Sequence, residues 1–180
     1  MKNKTAILIL LCTFQMVSAQ KLICKDGYVW FYSHTSFKDI EARNHQALAI
    51  LDPSSGELVL TLLIKSFEFK KKLMEEHFNE NYMESDIYPK AGFTGTITDF
   101  DQIDMKTEGK HPVTVPGDLT IHGVTKRVIV EGILEVKEST IRAKSDFILK
   151  ISDYNISSPN LVKNKIAKGI EVHVDVEFDK

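Results

Sequence analysis

The stretch that decides the fold is VTVPGDLTIHGVTKRVIVEGILEVK, which runs from Val113 to Lys137. Apolar and polar residues alternate along both of its halves, and this period of two is typical of a β-strand with one buried face. His122 and Gly123 separate the halves, and glycine at the second turn position supplies the positive φ of a tight hairpin. The apolar rows are Val113, Val115, Gly117, Leu119 and Ile121, and then Val128, Val130, Gly132, Leu134 and Val136. Such a ribbon needs a second sheet or closure into a barrel to cover its apolar side.

The same period of two recurs along most of the chain. It is unbroken from Ile170 to Phe178, and turn-forming clusters such as Asp52 to Gly56 bound the alternating segments. Besides the hairpin, the predicted strands are 28–33, 46–51, 58–64, 93–99, 141–151 and 170–178. The total is about eight, the number at which a closed barrel can just hold one small ligand. The predicted fold is therefore all-β, an eight-stranded antiparallel barrel.

One segment, from about residue 71 to 84, has the period of an amphipathic helix of about three turns. At about 100° per residue, its apolar sector contains Leu73, Met74, His77, Phe78 and Asn81. Met83 falls on the polar side, and Tyr88-Pro89 excludes further helix. In an all-β chain such a helix is expected to cap a barrel end or to pack over a seam.

The first nineteen residues have the composition of a cleaved export signal. Lys2 and Lys4 precede an apolar run, and Val17-Ser18-Ala19 resembles a cleavage site, so the mature chain is expected to be 20–180. We expect a single domain in the periplasm or outside the cell, without an integral membrane segment. Removal of the leader leaves Cys24 without a disulfide partner, and we assign this residue no role.

The net charge of the chain argues against one class of function, nucleic-acid binding. The formal net charge of −2 becomes −4 once Lys2 and Lys4 are removed, because each lysine carries one positive charge. A nucleic-acid binder needs a basic face to neutralise phosphates, so this class is not expected.

Several motifs resemble those of the YceI-like family. The strongest is GDLTIHGVTK, Gly117 to Lys126, which is similar to the G-x-L-T-I-H-G-V-T-K hairpin of that family. Weaker similarities are LMEEHF (73–78), YMES (82–85), YPKAGF (88–93) and SDF (145–147). The resemblance covers the whole mature chain. It implies an extended, lipocalin-like barrel in the periplasm, whose apolar interior holds a polyisoprenoid chain in some members.

The sequence leaves open whether the inward side chains fill the barrel or line a tunnel, and the resemblance favours a tunnel. Small inward residues, Gly95, Gly117, Gly132 and Ala143, would leave room for an apolar chain. Aromatic residues near the helix are expected at one mouth, namely Phe67, Phe69, Phe78, Tyr82 and Phe93. The predicted tunnel wall consists of Leu119, Ile121, Val130, Gly132, Leu134, Ala143 and Phe147. Plain core packing is the alternative for each of them.

Two groups of lysines would suit a polar or phosphorylated head group at the mouth. The candidates are Lys70 and Lys72 before the helix and Lys165 before the last strand. A run of charges is also typical of a solvated surface, so this interpretation depends on the fold bringing the groups together. No cofactor is expected.

The sequence gives little support to metal binding or catalysis by the histidines. The six histidines lack the spacings of metal sites. His122 in the turn is expected to bond to backbone, and His173 is expected to be exposed on its strand. A hydrolase using His34 and Ser36 is an alternative, although neighbouring residues on a strand point to opposite faces.

The favoured function is a carrier or sequestering protein for a long apolar ligand, such as an isoprenoid-type lipid, without bond chemistry. The alternatives are the hydrolase and a filled barrel that meets a protein partner through the acidic face of Glu171 to Asp179. A homodimer through an exposed strand is also possible.

Overall fold

One antiparallel sheet closes on itself in the computed structural model, which describes residues 20–34, 39–156 and 169–180. The strands are β1 (Leu22–His34), β2 (Asp39–Leu51), β3 (Glu57–Leu63), β4 (Glu68–Phe69), β5 (Lys90–Thr96), β6 (Gly109–Ile121), β7 (Val124–Val136), β8 (Thr140–Leu149) and β9 (Ile170–Asp179). Eight of them form the barrel in the order β1-β9-β8-β7-β6-β5-β3-β2, and pairing of β1 with β2 closes it. The two-residue β4 also pairs with β2. The predicted fold class is confirmed.

The predicted hairpin is confirmed as β6 and β7. Thirteen residue pairs join these strands, from Gly109 with Val136 to Ile121 with Val124. Both turn residues have positive φ, +50° at His122 and +72° at Gly123, which is the pattern of a type I′ turn. This turn follows the right-handed twist of the strands, so the long ribbon continues without a break in register.

β1 and β2 extend well beyond their predicted starts, Tyr28 and Gln46. Register shifts near Gly27 interrupt the alternation, and two consecutive residues are exposed in each strand, Lys25 and Asp26 in β1 and His45 and Gln46 in β2. At the same level of β2, Asn44 is fully buried and points inward. Its Nδ2 donates to the Leu63 carbonyl at 3.1 Å and its Oδ1 accepts from the Gln46 N–H at 2.8 Å. Both polar atoms of this buried amide are therefore satisfied.

The helical segment consists of α1 (Lys72–His77) and a wider π turn, Phe78–Tyr82. The Met83 N–H donates to the Phe78 carbonyl at 2.9 Å, five residues back, so the segment turns less per residue than an α-helix. Met83 is consequently buried, with only 6% exposed, and the prediction that it lies on the polar side was wrong. Leu73 was also placed wrongly, because 63% of it is exposed at the start of α1.

The interior contains two apolar clusters, one at each end of the barrel. The end under α1 includes Phe67, Met83, Ile121 and Tyr154. The opposite end includes Leu51, Leu134 and Phe178 among its fully buried side chains. Leu60, Phe93 and Val174 contact both clusters. Within residues 20–34, 39–156 and 169–180, no helix has the length and apolarity to cross a bilayer.

The outer face of β9 is bound to its neighbours by polar contacts. His173 stacks on Trp30 with ring centroids 3.7 Å apart, and its Nδ1 lies 2.5 Å from an Asp146 carboxylate oxygen. His173 is therefore half-buried, and the prediction of an exposed histidine was wrong. Asp175 accepts two hydrogen bonds of 2.6 Å from the Arg142 guanidinium and lies 3.3 Å from Lys144 Nζ.

These partners set the ionisation of Asp175. Burial acts to raise its pKa, but hydrogen bonds and charges from Arg142 and Lys144 outweigh that effect and leave the pKa below its ordinary value. A lowered pKa in the folded state means that the ion pair stabilises the fold above the ordinary aspartate pKa. The stabilisation is lost as the pH falls through the lowered value.

Asp175→Asn is expected to reduce the free energy of unfolding by about 1 kcal/mol at neutral pH. The difference from the unsubstituted protein should shrink below about pH 4, where an unfolded aspartate becomes protonated. Urea unfolding across this pH range measures the effect. Asp118→Asn is the control, because its ion pair with Arg127 is exposed on both sides. A loss of unfolding free energy in Asp175→Asn that does not change with pH would contradict a lowered pKa of Asp175.

Candidate functional site

The interior of the barrel contains a cavity of about 200 Å³. Its wall is almost entirely hydrocarbon, and most of it consists of inward side chains of the barrel strands. Residues between the strands complete it, namely Ile64, Phe67, Phe78, Met83, Ile97, Ile151 and Ile156. A cavity of about 150 Å³ with such a lining stays dry and accepts small apolar molecules. The packed interior that the sequence left open as an alternative is therefore not the one observed.

Most of the residues predicted to contact a ligand border this cavity. Ten of the twelve do so: Phe67, Phe78, Phe93, Leu119, Ile121, Val130, Gly132, Leu134, Ala143 and Phe147. The other two, Phe69 and Tyr82, pack against the apolar cluster under α1 without bordering the cavity. The role of these residues in binding stays a prediction.

Other lining residues were not singled out from the sequence. They include Val29 and Phe31 on β1, Leu58, Leu60 and Leu62 on β3, and Val172, Val174 and Val176 on β9. Their strands were predicted, and the alternating rows of β3 and β9 were recognised. A period of two assigns a side chain to the interior but does not distinguish the filled level of the barrel from the hollow one.

An aromatic cluster covers the cavity at the end under α1. It consists of Phe31, Phe67, Phe69 and Phe78, whose neighbouring ring centroids are 4.9 to 6.1 Å apart. Three of these belong to the predicted mouth group, and Phe31 joins them from β1. Phe93 lies apart from this cluster, in the middle of the barrel between the two apolar clusters.

The inward glycines make room for packing. Gly95 and Gly117 are register partners, and a Cβ on either would lie only 2.7 or 2.5 Å from Cζ of Phe93. At Gly132 a Cβ would lie 2.5 Å from the Lys144 carbonyl oxygen, so this glycine permits close approach of β7 and β8. The Phe93 ring occupies the space beside Gly95 and Gly117, whereas Gly132 borders the cavity next to its close contact with β8. Ala143 borders the cavity directly.

His122 links three elements at the end under α1. Its Nε2 lies 2.8 Å from a Glu84 carboxylate oxygen, and its Nδ1 lies 3.3 Å from the Tyr154 carbonyl oxygen. The edge of the Tyr88 ring packs against the imidazole, with centroids 4.5 Å apart. The predicted bond to backbone is present. Glu84 was missed, because it is distant in sequence and reaches His122 only through the fold.

The lysines proposed for a head group are not gathered at the cavity. Lys70 and Lys72 are exposed, and Lys72 is already paired with Glu75. Lys165 lies outside the described residues. Their role as head-group contacts stays a prediction.

The hydrolase alternative depends on residues that are not described: Ser36 and the side chain of His34. In the described part of the chain, no group of three or more His, Cys, Asp or Glu side chains could hold a metal ion. Cys24 is buried, and this burial raises the pKa of its thiol.

Comparison with known proteins agrees with the barrel and its signature hairpin. Residues 25–178 match the family model of the YceI-like domain. The chain belongs to the YceI-like family. A UPF0312 protein of Photorhabdus laumondii is 32% identical over 109 residues, which is 60% of this chain and 50% of that relative. A UPF0312 protein of Ectopseudomonas mendocina is 27% identical over 73% of this chain and 66% of its own length. The aligned part thus spans only part of these relatives.

Solved structures show the same fold at low sequence identity. A polyisoprenoid binding domain from Saccharophagus degradans has a TM-score of 0.75 and 15% identity, covering 88% of this chain and 97% of that one. BcnA of Burkholderia cenocepacia has a TM-score of 0.65 and 19% identity, covering 86% and 96%. The YceI-like barrel is therefore retained although most side chains differ.

Gly117→Ala is expected to destabilise the protein by about 1 to 3 kcal/mol, because its methyl group would overlap the Phe93 ring. Phe93→Leu should reduce the free energy of unfolding by less in the Gly117→Ala variant than in the unsubstituted protein. Rescue should be partial, because the Thr94 carbonyl lies 2.6 Å from the same Cβ position. Urea unfolding of the single and double variants gives this coupling. Additive losses would show that Gly117 does not accommodate Phe93.

His122→Asn keeps a residue that tolerates positive φ but is too short to reach Glu84, so it isolates the side-chain contacts. We expect a loss of about 1 to 2 kcal/mol in the free energy of unfolding. Glu84→Asn is the matched change, because Glu84 also has positive φ, +43°. In a double-mutant cycle the two losses should overlap substantially. Fully additive losses would show that His122 and Glu84 do not stabilise the fold through their contact.

Proposed function

We propose that this protein binds a long apolar molecule, such as an isoprenoid-type lipid, inside the barrel and carries or sequesters it without bond chemistry. The observation that carries the proposal is the cavity of about 200 Å³ with a hydrocarbon wall. Burial of each methylene in such a site contributes about 0.8 kcal/mol. The structural neighbour from Saccharophagus degradans, described as a polyisoprenoid binding domain, supports the same ligand class.

The size of the cavity restricts how much of a ligand it can enclose. Pockets for drug-sized molecules are usually about 300 to 1,000 Å³, so a cavity of about 200 Å³ encloses one segment of a long chain. The proposed contacts are the ten predicted residues that border the cavity, with Phe69 and Tyr82 beside them. For a charged head group, Lys70, Lys72 and Lys165 remain the proposed partners outside the cavity.

The polar groups at the wall support binding rather than catalysis. Ser145 donates its hydroxyl to the Glu131 carbonyl at 2.6 Å, and Lys144 pairs with Asp175. Both are engaged in contacts within the barrel wall. No observation in the described part of the chain favours the hydrolase alternative.

The protein-interaction alternative required a filled interior and an unpaired acidic face. The interior is hollow, and the acidic face of β9 is partly neutralised. Asp175 is paired with Arg142, and Glu177 lies 3.4 Å from Lys137 Nζ. We therefore retain the carrier as the proposed function.

Export to the periplasm is part of the proposal and follows from residues 1–19, which lie outside the described residues. Mass measurement of the protein recovered from the periplasm tests it, and a mature chain should begin at Gln20. The same preparation gives the oligomeric state and tests the homodimer.

The first experiment is native purification followed by organic extraction and mass spectrometry. We expect an apolar chain to co-purify, and the emptied protein to bind added geranylgeraniol, a twenty-carbon isoprenoid alcohol. A protein that is always empty and does not bind this alcohol would contradict the proposed function.

Ala143→Phe is expected to weaken geranylgeraniol binding by roughly tenfold or more, because the ring would occupy part of the cavity. Ala143 is preferable to Gly132 for this test, since a side chain at Gly132 would displace β8. Thr114→Phe on the outer face of β6 is the control for added aromatic bulk, since Thr114 is exposed. Fluorescence titration measures the affinities, and equal binding by both variants would place the ligand outside this cavity.

A further inference from the structure

Phe93 lies in the middle of the barrel, where the two apolar clusters meet. Three of the described residues contact both clusters, namely Leu60 on β3, Phe93 on β5 and Val174 on β9. All three border the cavity. In the closed order of the strands, β9 and β5 are four strands apart in either direction, so Val174 lies across the barrel from Phe93. We call Leu60, Phe93 and Val174 the waist.

The cavity continues on both sides of the waist. On the side under α1 its wall includes Phe78, Met83, Leu119 and Ile121. On the other side its wall includes Ile97, Val115, Leu134 and Val176. Both groups border one cavity, so the spaces on the two sides are connected past the waist. We call these spaces the chamber under α1 and the far chamber.

Two glycines let the Phe93 ring lie against the barrel wall. Gly95 follows Phe93 on the same face of β5, and Gly117 on β6 is the register partner of Gly95. A Cβ on Gly95 or on Gly117 would lie 2.7 or 2.5 Å from Phe93 Cζ, so the far end of the ring covers both glycines. Both glycines are buried, and neither borders the cavity. The ring therefore lies along the wall and leaves the passage between the chambers open.

The accessibility of the waist agrees with this passage. Leu60, Phe93 and Val174 belong to inward rows of their strands but are only half-buried. At the far end of the barrel, in contrast, Leu51 and Phe178 are fully buried. Because protein interiors are normally close-packed, an inward apolar side chain that keeps accessible surface has open space beside it. That space is the cavity, and a chain bound there would contact the waist.

We propose that Phe93 determines the length of the apolar chain that the protein binds, because a chain must pass its ring to occupy both chambers. This inference rests on the proposed function. Each methylene that reaches the far chamber removes more apolar surface from water, so affinity rises with chain length while the passage is open. A side chain that closes the passage would confine a chain to one chamber. Short chains would still bind, and longer chains would gain little from their additional carbons.

The experiment compares geranylgeraniol with geraniol, an isoprenoid alcohol that has half as many carbons, by fluorescence titration. Val174→Phe adds a ring opposite Phe93 and is expected to close the passage. Val174→Phe/Phe93→Leu removes the facing ring and should open the passage again. Thr114→Phe is the control, because it adds the same ring to an exposed position on the outer face of β6.

The unsubstituted protein should bind geranylgeraniol roughly tenfold or more tightly than geraniol. Val174→Phe should weaken geranylgeraniol binding roughly tenfold and geraniol binding by no more than about threefold. Adding Phe93→Leu should restore most of the preference for geranylgeraniol, because residues that face each other across the passage are coupled. Thr114→Phe should leave both affinities unchanged. A variant that only destabilised the fold would weaken both alcohols alike, so the ratio of the two affinities isolates the passage.

Leu60→Phe is a second variant of the waist, for use if circular dichroism shows that Val174→Phe does not fold. Leu60 is the register partner of Phe93 and also borders the cavity. The same loss of preference for geranylgeraniol is expected, with the same rescue by Phe93→Leu.

Unchanged binding, or equal weakening of both alcohols, in the folded waist variant would overturn the role of Phe93, and so would the absence of rescue by Phe93→Leu. Equal affinity of the unsubstituted protein for geraniol and geranylgeraniol would show that the chain does not extend past Phe93, and would also overturn it. These outcomes leave the carrier function intact. Failure of the unsubstituted protein to bind geranylgeraniol would overturn the proposed function and this inference with it.

Discussion

Closure of the sheet by β1 and β2 is the constraint on which the rest of the structure depends. Once an eight-stranded sheet closes, every second side chain must point into one shared interior. That interior is just wide enough that side chain size decides whether it is filled. At one end the buried Leu51 and Phe178 fill it, and at the other the phenylalanines under α1 cover it. The cavity is the part between these two ends that no side chain occupies.

Local packing then determines the shape of the cavity. Phe93 lies over Gly95 and Gly117, so two positions without side chains hold a ring and do not enlarge the cavity. Gly132 lets the β8 backbone approach β7 closely, just before the two strands separate. The pairing of β7 with β8 therefore ends next to this close contact. Gly95 and Gly117 thus serve the fit between elements, whereas Gly132 also borders the cavity.

Most of the barrel could be predicted, because a period of two is a property of consecutive residues. The hairpin, the strands and the inward rows of β3, β6, β7 and β9 follow from it. The first parts of β1 and β2 were not predicted, because the alternation breaks at Lys25–Asp26 and at His45–Gln46 and the inward Asn44 is polar. Met83 was placed on the wrong side of its helix because hydrogen bonding in the π turn, and not the residue pattern, set the rotation. His173 was misplaced because Trp30 and Asp146 come from other strands.

The sequence by itself determined that the chain is a barrel of the YceI-like family and which residues of β3, β6, β7 and β9 face inward. Alternation and turn chemistry act between near neighbours, so they can be seen in the linear order of residues. Tertiary structure decided that the interior is hollow, that Glu84 reaches His122 and that β7 and β8 part beyond Ile133. These features depend on the distance between segments far apart in the chain. That distance results from the closure and twist of the whole sheet, which no single stretch of residues encodes.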